Sequence, residues 1–143
     1  VVKKLTISRI EELCAQKGVK ITHQRSVIAK VISEATDHPD ANKVFMRANK
    51  IDNRISLATV YRTIKLFEEN NVLSRIDLGG NRARYEELSE EHNKHDHLID
   101  LDTGEIIEFF DEDLEKLKKR VAEKLGYKLI DHKMELFGKK KSK

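Results

Sequence analysis

The run His95-Asp96-His97 sets two imidazoles two residues apart with a carboxylate between them. In a β-strand side chains alternate, so His95 and His97 would share one face while Asp96 takes the other. Two imidazoles on one face can chelate a single cation, and nearby carboxylates can add oxygen ligands. Glu86, just upstream, and Glu108, in a second candidate strand, are the available oxygen donors. Asp96 needs other partners on its own face, and Glu115 and His132 are at hand. His132 shares its candidate strand face with Ile130, Met134 and Leu136, so the ordinary alternative for it is a satisfied histidine among apolar neighbours. A bare His-x-His is a weak signal, and the acidic residues strengthen it only modestly.

A second constellation is basic. After Ser56 as N-cap, Leu57, Val60, Ile64 and Phe67 form one apolar helical stripe. Ala58, Tyr61, Arg62 and Lys65 form another stripe on the same helix. A methyl, a phenol, a guanidinium and an ammonium can meet thymine methyls, phosphates and guanine edges in a major groove. Other chemistry finds no support: there is no Gly-x-Gly-x-x-Gly, Walker loop, His-Glu-x-x-His or Gly-x-Ser-x-Gly. The lone cysteine, Cys14, excludes an intramolecular disulfide and any multi-cysteine metal site. With Ile10 and Leu13 close by, it reads as a packed thiol rather than a nucleophile. His23 and His92 have no distinctive setting.

These residues must be positioned by elements the sequence also suggests. Ser8 and Glu11 form a capping box that starts one helix, and Gly18 can end it with a positive φ. Thr22 caps a second helix with Val27, Ile28, Val31 and Ile32 on one face, and Pro39 breaks the chain by biasing His38 away from helical geometry. A third helix over residues 41–50 turns Val44, Phe45 and Ala48 inward. After the basic helix, residues 72–76 and 82–86 read as strands joined around Gly79-Gly80, with Arg75, Arg82 and Arg84 decorating the hairpin. Three helices, a basic-faced helix and a basic hairpin are the order of a winged helix-turn-helix, whose wing can touch the phosphate backbone. Strands over 95–102 and 105–109 follow, turning at Thr103-Gly104. A helix over 111–125 carries Leu114, Leu117, Val121 and Leu125 on one stripe and stops at Gly126, and residues 127–137 read as the last strand.

Charge divides along the same line. The 143 residues carry a net +3, but residues 1–86 hold 16 Lys and Arg against 10 Asp and Glu, while residues 87–143 hold 12 against 15. A basic half joined to an acidic half suits polyanion binding in the first and cation binding or assembly in the second. The expected organisation is α+β: a winged-helix DNA-binding domain over 1–86, a hinge loop over 87–94, a small α/β dimerisation and metal-binding domain over 95–138, and a basic tail over 139–143. No run approaches the roughly 18 apolar residues of a membrane span, and no signal-peptide pattern stands at the N-terminus, so the expectation is a cytosolic protein.

Ser-Leu-Ala-Thr-Val-Tyr-Arg-Thr at 56–63, Arg-Tyr-Glu at 84–86, His-Asp-His-Leu-Ile at 95–99 and Ile-Glu-Phe at 107–109 together resemble the ferric uptake regulator family. The resemblance runs from Gly18-Val-Lys-Ile-Thr22 to Leu136-Phe-Gly138, with every motif in family order. It implies a homodimeric, metal-responsive transcriptional regulator, mainly a repressor, that binds near-palindromic operator DNA to control metal uptake and homeostasis genes in the bacterial cytoplasm. Higher-order assembly on DNA is left open. It places Tyr61 and Arg62 in the recognition helix and brings Lys20 to DNA from the segment before the second helix; with Ala58, Lys65 and Arg84 these make the expected DNA-contacting set. It also implies a regulatory metal site of His38, Glu86, His95, His97 and Glu108. A second metal site would use Asp96, Glu115 and His132, but the family's usual fourth member there is replaced by Lys94. Many relatives complete a structural zinc site with a Cys-x-x-Cys whose positions are Asp100 and Thr103 in this chain. Three imidazoles and two carboxylates without thiolate suit Fe(II) or Mn(II), with Zn(II) as a substitute in vitro. Two alternatives are a metal-dependent hydrolase built on His95, His97 and Glu108, which lacks an evident general base, and a metal-independent winged-helix protein.

Overall fold

The computed structural model describes residues 7–79, 82–88 and 95–142. The chain divides into two compact units, residues 1–93 and 94–143. Gly80, most of the expected hinge, His92, Lys94 and Lys143 lie outside the described residues.

The first unit contains α1 (Arg9–Gln16), α2 (His23–Glu34), α3 (Ala41–Ile51), α4 (Leu57–Glu69), β1 (Leu73–Asp77) and β2 (Ala83–Glu87). Each helix starts where a short polar side chain can accept an otherwise unpaired amide of its first turn. Ser8, Thr22, Asp40 and Ser56 do this for α1 to α4. The expected capping box is complete: Ser8 Oγ accepts from Glu11 N, and Glu11 Oε2 accepts from Ser8 N at 2.8 Å. Lys17 donates from Nζ to the carbonyls of Asn70 and Asn71, both at 3.0 Å, and so caps the far end of α4. Ile28, Val44, Val60, Ile64, Phe67 and Val72 are fully buried and form one core that locks the helices and hairpin together. Cys14 is packed in that core, and burial pushes its thiol pKa up, as a structural cysteine requires. β1 and β2 pair antiparallel with Arg75 opposite Tyr85, each strand starting one residue later than expected. Leu57, the first member of the apolar stripe, lies in the first turn of α4 and is exposed, while Val60, Ile64 and Phe67 are buried.

The second unit contains β3 (Asp96–Asp100), β4 (Ile106–Phe109), α5 (Glu112–Lys124) and β5 (Glu135–Gly138). Its sheet runs in the order β4-β3-β5, with β3 antiparallel to β4 and parallel to β5. β3 ends before the expected residue 102 because the Asp100 carboxylate turns the chain. Its Oδ1 accepts from the amides of Asp102 and Thr103 at 2.8 and 3.3 Å. Gly104, at φ +75°, closes the turn by donating to the Asp100 carbonyl at 2.8 Å. A hydrogen-bonded turn therefore occupies Asp100 and Thr103, where the family resemblance implied zinc cysteines in other members.

One expectation about this unit needs correction. The last strand covers only Glu135–Gly138: the Met134 carbonyl just before it accepts from His97 N at 3.3 Å, and residues 127–133 form no strand. The apolar stripe of α5 is not a core face within one chain: Leu117 and Val121 are each 49% exposed, Leu125 is 70% exposed, and no residue of α5 is buried. A stripe this apolar and this open is a surface for another protein chain. No helix among the described residues is long and apolar enough to cross a membrane.

Candidate metal centres and nucleic-acid interface

In the second unit the strand alternation holds. The rings of His95 and His97 share one face, with centroids 4.8 Å apart and planes at 84°. The register sets His97 directly opposite Glu108 on β4, and His95 Nε2 lies 3.6 Å from Glu108 Oε1. Two imidazoles and a carboxylate thus lie on one patch at the end of the β3–β4 ladder.

In the first unit His38 Nε2 lies 3.1 Å from Glu86 Oε2. A residue before proline favours an extended backbone, which was the expectation for His38. His38 instead has φ +48°, a left-handed conformation that L residues adopt reluctantly. The neighbouring hydrogen bonds explain how it persists. Arg84 Nε donates to the His38 carbonyl at 2.6 Å, and Arg84 Nη2 donates to the Asp37 carbonyl at 2.7 Å. From α3, Arg47 grips the Asp37 carboxylate with both terminal nitrogens at 2.9 and 2.6 Å. That hydrogen-bonded guanidinium holds the Asp37 pKa down to about 2. Pro39 joins in through its carbonyl, which accepts from Tyr85 N at 3.1 Å.

Arg84 was expected on DNA, and its guanidinium is instead turned onto the loop that carries His38. The other residues expected to meet DNA lie at the surface. Ala58, Tyr61, Arg62 and Lys65 are all exposed along α4, and Lys20 is exposed before α2. Val60, Ile64 and Phe67 bury the opposite side of α4, which holds the basic stripe outward on a fixed helix. Arg62 Nη2 rests 3.3 Å from Thr59 Oγ1, a contact easily exchanged for a phosphate or a base edge.

Asp96, Glu115 and His132 also converge, with candidate ligand atoms within 4.8 Å of one another. The apolar setting expected for His132 is absent: Ile130 is exposed, and the ring instead lies among charged groups. His132 Nε2 is 3.0 Å from Glu115 Oε2. The sequence reading missed Lys118, whose Nζ stands among all three residues. Burial alone would lower the Lys118 pKa, but hydrogen bonds to Asp96 and Glu115 outweigh it and raise the pKa above its ordinary value. The signal for Lys118 was its i,i+3 spacing from Glu115 on a helix.

The ferric uptake regulator family model matches residues 16–137. The chain is 47% identical over 129 residues to the ferric uptake regulation protein of Rhizobium leguminosarum bv. viciae, covering 90% of this chain and 89% of that one. Among solved structures it resembles a zinc-bound manganese uptake regulator at 46% identity and a TM-score of 0.69, covering 92% of this chain and 98% of that one. It also resembles the Pseudomonas aeruginosa ferric uptake regulator with manganese at 30% identity and a TM-score of 0.80, covering 94% and 99% of the two chains. With the ordered winged helix, the exposed basic stripe and the nitrogen and oxygen ligand clusters, these likenesses show that the chain belongs to the ferric uptake regulator family of dimeric, metal-responsive DNA-binding regulators and is not an enzyme.

Proposed function

We propose that the chain represses genes of metal uptake and homeostasis in the bacterial cytoplasm when Fe(II) or Mn(II) is bound by His38, Glu86, His95, His97 and Glu108. The observation that carries this reading is that each unit has its share of the ligand set assembled within itself. His38 and Glu86 approach to 3.1 Å in the first unit, and His95, His97 and Glu108 share one strand face in the second. An all-nitrogen and oxygen set without thiolate fits a borderline or hard divalent ion. Relatives at almost the same identity carry both names, a ferric uptake regulation protein at 47% and a manganese uptake regulator at 46%, so both metals are kept.

His38 and Glu86 of the first unit and His95, His97 and Glu108 of the second would be the ligands, and a shared cation would supply a positive centre tying the DNA-binding unit to the dimerisation unit. The residues do the rest. Arg84 and Arg47 hold the His38 loop in its ligating conformation, and the β3–β4 register holds His97 against Glu108. α4 presents Tyr61 and Arg62, and the exposed stripe of α5 is the surface a second copy covers, giving two recognition helices for two half-sites. Metal and DNA affinity are then coupled reciprocally. The test is a Mn(II) titration of the dimer: the site formed from both sets is lost in His38→Ala and equally in His97→Ala. An ion retained with wild-type affinity in either variant would show that the two sets do not share it.

A further inference from the structure

The resemblance implies a second metal at Asp96, Glu115 and His132, and this chain's own residues do not fit one. The place of the cation is taken by Lys118 Nζ, which lies 2.7 Å from Asp96 Oδ2, 2.9 Å from Glu115 Oε1 and 3.2 Å from His132 Nδ1. An ammonium has three N–H donors and no acceptor, and here each donor has one acceptor. Lys118 Nζ faces Nδ1 of His132, and the ring's other nitrogen, Nε2, lies 3.0 Å from Glu115 Oε2. Both nitrogens of His132 are therefore in use, and one oxygen of each carboxylate is spent on the ammonium.

Burial shows that the arrangement is built in rather than incidental. The Lys118 side chain is 11% exposed and that of Asp96 2%. Two carboxylates face one fixed positive charge, so a divalent ion entering the cluster would meet a neighbouring ammonium and would have to strip acceptors from it. The three acceptors come from β3, from α5 and from the segment before β5, which are the parts of the unit a metal would otherwise tie together.

We propose that Lys118 is the resident cation of this cluster, replacing the second metal, so that the C-terminal unit is cross-linked without an ion there. This does not rest on the reading of the regulatory site. The experiment uses the full-length dimer with His95→Ala and His97→Ala, and Co(II) alone as the probe, followed by its visible absorption, by equilibrium dialysis and by thermal unfolding. The expected result is no Co(II) dependent on His132, and the same unfolding temperature in Co(II) as in chelator. Adding Lys118→Met should create a site for one Co(II) per protomer, bound at least tenfold tighter than by its Lys118-containing parent. Its absorption should vanish with His132→Ala, and its unfolding temperature should rise with Co(II). Lys118→Gln serves if the methionine variant does not fold. One Co(II) per protomer in the Lys118-containing protein, lost with His132→Ala, overturns the proposal, as does a folded Lys118 variant that gains no ion. Co(II) that survives His95→Ala and His97→Ala but ignores His132→Ala counts against the regulatory site instead.

Discussion

Replacing Arg84 separates two roles that the sequence alone does not distinguish. On a wing, an arginine next to the strand end is expected to meet phosphate, and its loss would weaken DNA binding only. In the structure its guanidinium donates at 2.6 Å and 2.7 Å to the carbonyls of His38 and Asp37. Hydrogen bonds from a charged donor contribute about 1.5–3 kcal/mol each, so Arg84→Met removes about 3 kcal/mol or more of restraint before water replaces part of it. His38 at φ +48° stores about 1–2 kcal/mol of backbone strain. Without the two bonds, the loop should relax toward the extended form that a following proline favours, moving Nε2 away from Glu86. The loss of support for a metal ligand corresponds to roughly 10–100-fold in affinity. Mn(II) titration without DNA should therefore show Arg84→Met binding roughly 10–100-fold more weakly. Arg62→Ala should bind metal as the wild type does while losing DNA affinity. An Arg84→Met protein with wild-type Mn(II) affinity and weakened DNA binding would refute the reasoning and return Arg84 to the DNA-contacting set.

Two further outcomes follow from the second unit. The Asp100 carboxyl is held below its ordinary pKa, first by the amide of Asp102, so it adds stability above about pH 4, the ordinary aspartate range, and loses it as pH falls through the lowered value. Asp100→Asn keeps an acceptor but not the charge, so its unfolding temperature should lie below wild type at pH 7, and the gap should narrow as acid protonates Asp100; a gap unchanged across the whole acid range would count against the assignment. Leu117→Glu with Val121→Glu puts two charges on the exposed stripe of α5, which is 49% exposed at both positions. Sedimentation should then find folded monomers, and an intact dimer would place the interface elsewhere.

How much of this was legible in the sequence depends on how far apart the cooperating groups are. Caps are local, so Ser8, Thr22 and Ser56 mark three helix starts that the structure repeats. Strand alternation is local too, and it put His95 with His97 and turned Asp96 to the other face. The meeting of Asp96 with Glu115 and His132 was also anticipated, from the partners at hand for the other strand face and from the family resemblance. What stood in the middle of them was not: Lys118 looked like one more solvated lysine on a charged helix, and only folding the segment before β5 against α5 surrounds it with acceptors. Arg84 and His38 are 46 residues apart, so no periodicity could have shown that the arginine turns inward. The stripe of α5 was read rightly as apolar, but a helical period reports that a face is covered and not whether the same chain covers it. His132 was misjudged for a related reason: its neighbours in a strand pattern are irrelevant when residues 127–133 form no strand.

The central claim is that divalent metal held by histidines of the dimerisation unit licenses DNA reading by α4. Its most direct test is a mobility shift at fixed salt on a near-palindromic duplex selected by the metal-loaded protein from a random pool. The wild type should shift that duplex with Mn(II) or Fe(II) and release it in chelator. The His95→Ala, His97→Ala protein should remain a folded dimer that fails to shift the duplex under either condition. An undiminished metal-dependent shift by the double variant would contradict the account.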